Sequence, residues 1–210
     1  MMRFEDAAQA CGIITILRGV TLDEVTDIGD ALYEAGIRVV EVPLNSPEPF
    51  RSIAALAARF HGRMVVGAGT VLDVESVDRV KSAGGQITVS PDCAPHVISR
   101  AVERGLLPLP GVFTPTEAFA ALRAGARHLK LFPAEAASPV TVKAWKAVLP
   151  SHASLYAVGG VTPSNMKAWA DAGCAGFGIG SNIYKPGSSA DDVGRAARSF
   201  VAAWNELKGD

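Results

Sequence analysis

The sequence predicts an α/β fold: a compact (β/α)8 TIM barrel filling residues 1–210 as one domain, with an N-terminal helical segment. Three observations carry that prediction. Apolar runs of four to six residues recur eight times, each bounded by glycine or proline, and each is followed by an alanine-rich stretch with helical spacing of its apolar residues. The pair Ala-Gly returns at 35–36, 83–84, 124–125 and 172–173, each time a few residues ahead of a strand. Eight such units suit a closed parallel barrel, and short loops explain 210 residues where about 250 are usual. A doubly wound open sheet would show fewer strands and a Gly-x-Gly-x-x-Gly turn directly after the first, but here the first strand leads into Arg18-Gly19-Val20-Thr21.

In chain order, the run at 13–17 forms the first strand, and Thr21 caps a helix over 22–35 that Gly36 ends in the left-handed conformation. Strand 39–44 precedes helix 49–60, and strand 64–68 precedes helix 74–83, closed by Gly84. Strand 87–90 leads to helix 94–104 with Gly105 at its end, and strand 107–110 to helix 116–124, capped by Thr114 and closed by Gly125. The last three units pair strand 128–132 with helix 140–149, strand 155–158 with helix 163–172 before Gly173, and strand 176–180 with helix 191–207.

Composition excludes several function classes. At 49% hydrophobic and 20% charged, with 21 glycines and 13 prolines, the chain is ordinary globular protein. A net charge of -1, with acidic and basic residues interleaved, offers no field for a nucleic-acid backbone, so small molecules are the expected partners. No apolar run approaches the roughly 18 residues of a membrane span, and the start Met1-Met2-Arg3-Phe4-Glu5-Asp6 lacks the features of a signal peptide, which predicts a cytoplasmic protein and no membrane partner. Cys11, Cys93 and Cys174 lie about eighty residues apart, and His61, His96, His128 and His152 are equally scattered. Neither set has the spacing of a metal site or redox pair, so no metal and no cofactor is expected.

Lys130 stands out, held inside His128-Leu129-Lys130-Leu131-Phe132-Pro133. Burial penalises a charged amine, and a partly neutral lysine can attack a carbonyl to form a Schiff base, the chemistry of aldol cleavage of a keto acid. A lysine at a strand end can also pack its stem and let its head reach water. Alternation along the strands tells the two apart. If Leu129 and Leu131 face the helices, His128, Lys130 and Phe132 face the lumen; if Val40 and Val42 face the helices, Val39, Glu41 and Pro43 face the lumen. Lys130 and Glu41 then converge, while Arg18, on the side of Ile14 and Ile16, suits a substrate carboxylate. Glu41 and Arg18 could also be an ion-paired network filling the barrel end.

Two glycine turns complete the pattern. Val158-Gly159-Gly160-Val161 and Gly178-Ile179-Gly180-Ser181-Asn182 follow strands seven and eight, where backbone N–H groups meet a phosphate in barrels of this kind. Gly67-Ala68-Gly69-Thr70 reads as wall: its small residues leave room for substrate, and Thr70 offers a hydroxyl.

These residues resemble the class I aldolases that cleave 2-keto-3-deoxy-6-phosphosugar acids. Ile16-Leu17-Arg18-Gly19, the stretch from Val40 through Pro47, Gly67-Ala68-Gly69-Thr70-Val71-Leu72, Leu129-Lys130-Leu131-Phe132-Pro133-Ala134-Glu135-Ala136 and Gly159-Gly160-Val161-Thr162-Pro163 match the family's motifs in order across the chain. The resemblance implies that Lys130 forms the Schiff base with pyruvate and Glu41 is the general acid/base. It further implies that Arg18, Thr70 and Pro91 surround the pyruvate carboxylate, that Phe132 packs against the ketone, and that Gly159, Gly160, Gly180 and Ser181 hold the phosphate. A homotrimer is implied in the same way.

The family's branches act on C4 epimers. Ala157-Val158-Gly159-Gly160 and Leu44-Asn45-Ser46-Pro47 look like the galactonate branch, the gluconate branch usually having a threonine at the place of Val158, whereas Phe132-Pro133-Ala134-Glu135-Ala136 is closer to the gluconate branch. The expected activity is retro-aldol cleavage of 2-dehydro-3-deoxy-6-phosphogalactonate to pyruvate and glyceraldehyde 3-phosphate, a step of galactonate catabolism. The alternatives are the gluconate-type or a dual-specificity aldolase and, from other classes, a phosphosugar epimerase or isomerase, or a phosphosugar-binding barrel without catalysis.

Overall fold

A computed structural model describes residues 2–209. The order is α1 (Phe4–Ala10), β1 (Ile13–Ile16), α2 (Val25–Glu34), β2 (Val39–Pro43), α3 (Pro49–Arg59), β3 (Val65–Gly69), α4 (Val74–Ser82), β4 (Ile87–Val89), α5 (Pro95–Glu103), β5 (Leu107–Leu109), β6 (Gly111–Val112), α6 (Pro115–Arg123), β7 (His128–Leu131), α7 (Pro139–Lys146), β8 (Ser154–Val158), α8 (Met166–Ala172), β9 (Cys174–Ile179) and α9 (Ala190–Lys208). A short 3-10 turn, Ala134–Ala136, follows β7. The strands pair in parallel in the order β5-β4-β3-β2-β1-β9-β8-β7-β6, as the predicted barrel requires.

The predicted fifth strand, 107–110, is the first of two pieces, and the second, Gly111–Val112, lies beyond it. Residues 107–109 pair with β4 and residues 111–112 with β7, so one stretch of chain supplies both ends of the sheet and closes the ring. The change of partner falls at Pro110, which has no N–H to offer either neighbour, and its carbonyl accepts from the Lys130 N–H at 2.9 Å.

Other boundaries moved for local reasons. Thr21 does not cap α2, because the Glu24 carboxylate turns back onto the Thr21 N–H and hydroxyl at 2.9 and 3.0 Å; the helix starts at Val25, whose N–H reaches the Thr21 carbonyl. Helix α8 starts three residues later than predicted, and β9 starts at Cys174 rather than Gly176, directly after Gly173. Thr114 caps α6 as predicted, with Glu117 completing a reciprocal capping box. The glycines of the Ala-Gly pairs, at 36, 84, 125 and 173, all have positive φ, the left-handed conformation that ends a helix at no Cβ cost.

Two apolar clusters hold the barrel. The larger lies between strands and helices and contains Val40, Val42, Leu129 and Leu131, which confirms the predicted alternation. The smaller fills the lumen with Ile14, Val39, Val65, Ile87, Val89, Leu109 and Tyr156. From below, α1 closes that lumen. Phe4 is buried there, edge-on to His128 at 4.8 Å and 6.0 Å from Tyr156, and burying such a ring is worth roughly 2 kcal/mol. With α1 across the N-terminal end, the floor of the lumen faces the carboxyl ends of the strands.

Candidate active site

Lys130 and Glu41 meet at that floor. With Ile14, Ile16, Val89, Leu109, Tyr156, Val158 and Gly178 they line one small internal cavity. Lys130 is 6% exposed and Glu41 2%. Each is held by a strand ladder: the Lys130 N–H by Pro110, and β2 by β1 and β3 on either side. The Lys130 ammonium sits 4.4 Å from the centre of the Phe132 ring, two residues along, where an aromatic face can take a cation as it is stripped of water.

Burial dominates the electrostatics of both groups. It pushes the Glu41 carboxyl up to about 7, against the pull of Lys130 and Arg18, which favour the ionised form. It pushes the Lys130 amine down, with Glu41 opposing the shift and Arg18 adding to it. One carboxyl oxygen of Glu41, Oε2, is buried with no hydrogen-bond partner, an arrangement that costs stability and is held by its surroundings. These are the properties of a nucleophile and a proton carrier working near neutral pH.

Above the floor lies a cavity of about 440 Å³. Arg18, Phe132, Val158, Gly159, Gly160, Gly180 and Ser181 all line it, so the structure brings these sequence-predicted residues together over Lys130 and Glu41. Gly159 and Gly160 have φ of 104° and 66°, a conformation that turns backbone towards the cavity and that residues with a Cβ rarely adopt. Side-chain amides fix the two turns: Asn165 Nδ2 donates to the Gly160 carbonyl at 2.9 Å, and Asn182 Nδ2 to the Val161 carbonyl at 2.8 Å. Val158 is buried on the wall between floor and turns, packed over the bare α-carbon of Gly178.

Thr70 and Pro91 are not among the lining residues. Thr70 follows β3 at a φ of 56°, which is costly for a β-branched residue, and is bracketed by hydrogen bonds from the Leu44 N–H to the Gly69 carbonyl and from the Val71 N–H to the Val89 carbonyl. Pro91 is exposed on the loop after β4, with its backbone against the bare α-carbon of Gly111.

Several residues of the site were not singled out from sequence. Asn45 Oδ1 accepts from Arg18 Nη1 at 2.7 Å, and Ser46 Oγ accepts from the Gly19 N–H at 2.9 Å, so the loop after β2 sets the direction of the guanidinium. Glu135 and Lys185 place opposite charges on the cavity rim, Glu135 beside Gly159 and Gly160. The signal for Asn45 and Ser46 was present in Leu44-Asn45-Ser46-Pro47, since polar residues after a barrel strand sit on the active face.

Residues 4–197 match the family model described as KDPG and KHG aldolase. The chain is 47% identical over 194 residues to the 2-dehydro-3-deoxy-6-phosphogalactonate aldolase of Escherichia coli strain K12, covering 92% of this chain and 95% of that protein. A solved structure described as native KDPGal superposes with a TM-score of 0.92 at 46% identity, covering 94% of this chain and 96% of the other. A component of a cube-shaped porous cage, designed by fusing symmetric oligomeric domains, also superposes with a TM-score of 0.92, at 47% identity over 94% of this chain and 73% of its own.

Proposed function

The chain belongs to the KDPG and KHG aldolase family, and we propose that it is a class I aldolase cleaving 2-dehydro-3-deoxy-6-phosphogalactonate to pyruvate and glyceraldehyde 3-phosphate. One observation carries the mechanism: a buried lysine and a buried glutamate facing one cavity floor, with burial driving the amine towards its neutral form and the carboxyl towards its protonated form.

Lys130 Nζ attacks the C2 carbonyl, Glu41 supplies a proton to the oxygen, and loss of water leaves a protonated imine. Glu41, now a carboxylate, takes the C4 hydroxyl proton. The C3–C4 bond breaks, its electron pair moves to the imine nitrogen to give an enamine, and the aldehyde leaves with a C4 carbonyl. The enamine takes a proton at C3, and water releases pyruvate from Lys130. The protonated imine is the electron sink throughout, so the charges that change in the reaction all lie on or beside the floor.

Arg18 takes the substrate carboxylate, aimed by Asn45, and Phe132 packs on the ketone, while a part for the Thr70 hydroxyl and Pro91 beside that carboxylate is carried by the family resemblance alone, since neither lines the cavity. The turns at Gly159-Gly160 and Gly180-Ser181 take the phosphate on backbone N–H groups. Val158 faces the region between these ends, where the C4 hydroxyl of the substrate lies, and favours the galactonate epimer by offering no hydrogen bond to the other. The cage component's origin in symmetric oligomeric domains supports a symmetric oligomer, and the homotrimer is the form that the family resemblance implies. A phosphorylated sugar-acid substrate supports a cytoplasmic activity; no helix among the described residues is long and apolar enough to cross a membrane.

Borohydride reduction with pyruvate is expected to add a stable mass to the peptide containing Lys130. Lys130→Ala is expected to abolish cleavage and labelling while the fold melts cooperatively. Turnover by the alanine variant, or turnover by wild type that is never labelled, refutes the Schiff base.

A further inference from the structure

The run Gly67-Ala68-Gly69-Thr70 reads in sequence as a wall of small residues that leaves room for substrate. In the structure the space beside Gly69 is already taken. A Cβ built on Gly69 would fall on the carboxyl carbon of Glu41 and on both of its oxygens, far inside contact distance. No other glycine among the described residues would drive a Cβ into a carboxylate in this way. At Gly67 the same Cβ would meet the Ile87 carbonyl and side chain instead, so the two glycines of β3 are needed for different reasons.

Backbone conformation does not require a glycine at 69. Gly69 is not one of the left-handed glycines, and it lies in the regular parallel ladder opposite Pro43, its carbonyl accepting from the Leu44 N–H at 2.8 Å. Alanine would suit that strand conformation, since glycine inside a strand is otherwise a loss. Glu41 pairs with Gly67 in the register, which puts Gly69 two residues further along the same lumen face, on the diagonal where long side chains reach across. The Glu41 carboxylate lies in that slot with Oε2 buried and unpaired, so the packing of the slot, rather than a hydrogen bond to Oε2, fixes where that oxygen points.

We infer that Gly69 is a positioning residue: its missing side chain is the seat that aims the Glu41 carboxylate at Lys130 and the substrate. The inference rests on the reading of Glu41 as the acid/base only for its effect on rate; the seat itself is a packing relation between two residues.

A double-variant cycle on the full chain tests both parts. G69A is expected to melt below the parent, and E41A/G69A to melt with E41A, because removing the carboxylate empties the slot that the new methyl fills. On 2-dehydro-3-deoxy-6-phosphogalactonate, G69A is expected to lower kcat on the order of 100-fold with little change in KM, as a displaced acid/base does, and to change the residual rate of E41A by less than about twofold. If G69A alone does not fold, the recovered folding of E41A/G69A carries the same information. Equal losses from G69A in both backgrounds, in melting and in rate, overturn the inference and return Gly69 to a substrate wall. Coupling in melting without coupling in rate upholds the seat and refutes the acid/base role of Glu41.

Discussion

Replacing Glu41 with glutamine should make the protein more stable, and increasingly so as pH rises. Folding raises the carboxyl from 4.5 to about 7, so between those values the folded state holds a proton that the unfolded state has released. The unfolded state then binds fewer protons, and stability falls as pH rises through this window, the reverse of the usual salt-bridged carboxylate. A rise of that size corresponds to roughly 3 kcal/mol, most of which is lost between about pH 5 and pH 8. Glutamine keeps the shape and cannot ionise, so E41Q escapes the loss. Urea unfolding of both proteins at several pH values reads the difference directly: the advantage of E41Q should be small near pH 5 and grow by about 2 to 3 kcal/mol by pH 8, or ~5–10 °C in Tm for a chain of this length. An advantage that does not change with pH would mean that Glu41 is hydrated or firmly ion-paired in the folded protein, and the account of the site floor would fail.

Val158→Thr puts a hydroxyl on the wall between the floor and the glycine turns, and the ratio of kcat/KM for the gluconate over the galactonate epimer is expected to rise on the order of tenfold; an unchanged ratio places the discrimination elsewhere. Thr70→Gly relieves a left-handed β-branched residue and should stabilise the fold by about 1 kcal/mol in thermal or urea melts, while KM rises because the hydroxyl is gone. A variant that is less stable, with unchanged KM, would show that neither strain nor hydroxyl matters at 70.

Most of the site was legible because a parallel barrel obeys two local rules. Alternation along 39–43 and 128–131 decided that Glu41 and Lys130 share the lumen, and the strand ladders keep that register. The Ala-Gly pairs marked helix ends because a left-handed residue is a local demand that glycine meets. What sequence did not disclose depends on parts of the chain far apart. The run Leu107-Pro108-Leu109-Pro110 reads as one strand, and only closure of the ring makes Pro110 the point where partners change. Gly69 serves Glu41 across two strands, a relation with no local signature. Thr21 looked like a cap until a glutamate three residues on competed for its donors.

The three charges of the site do not act alike on the floor. Burial drives Lys130 and Glu41 together towards an uncharged pair, and their mutual attraction drives them together back towards an ion pair. Both influences leave the number of protons on the pair unchanged. Arg18 is different, for it lowers the affinity of both groups for a proton. Its field is the weakest of the influences on Glu41 and does not overturn the burial that keeps the carboxyl protonated up to about pH 7, but it makes each group give up a proton more readily: the amine stays free to attack, and the carboxyl is ready to donate. Its guanidinium is exposed and could swing away from the floor, yet Asn45 holds it at 2.7 Å. A substrate carboxylate that then binds Arg18 cancels the field, and the positive charge that the imine nitrogen carries, once Lys130 has attacked and Glu41 has given its proton to the departing water, is no longer opposed. The same guanidinium therefore prepares the amine before the substrate arrives and stops opposing its positive charge afterwards.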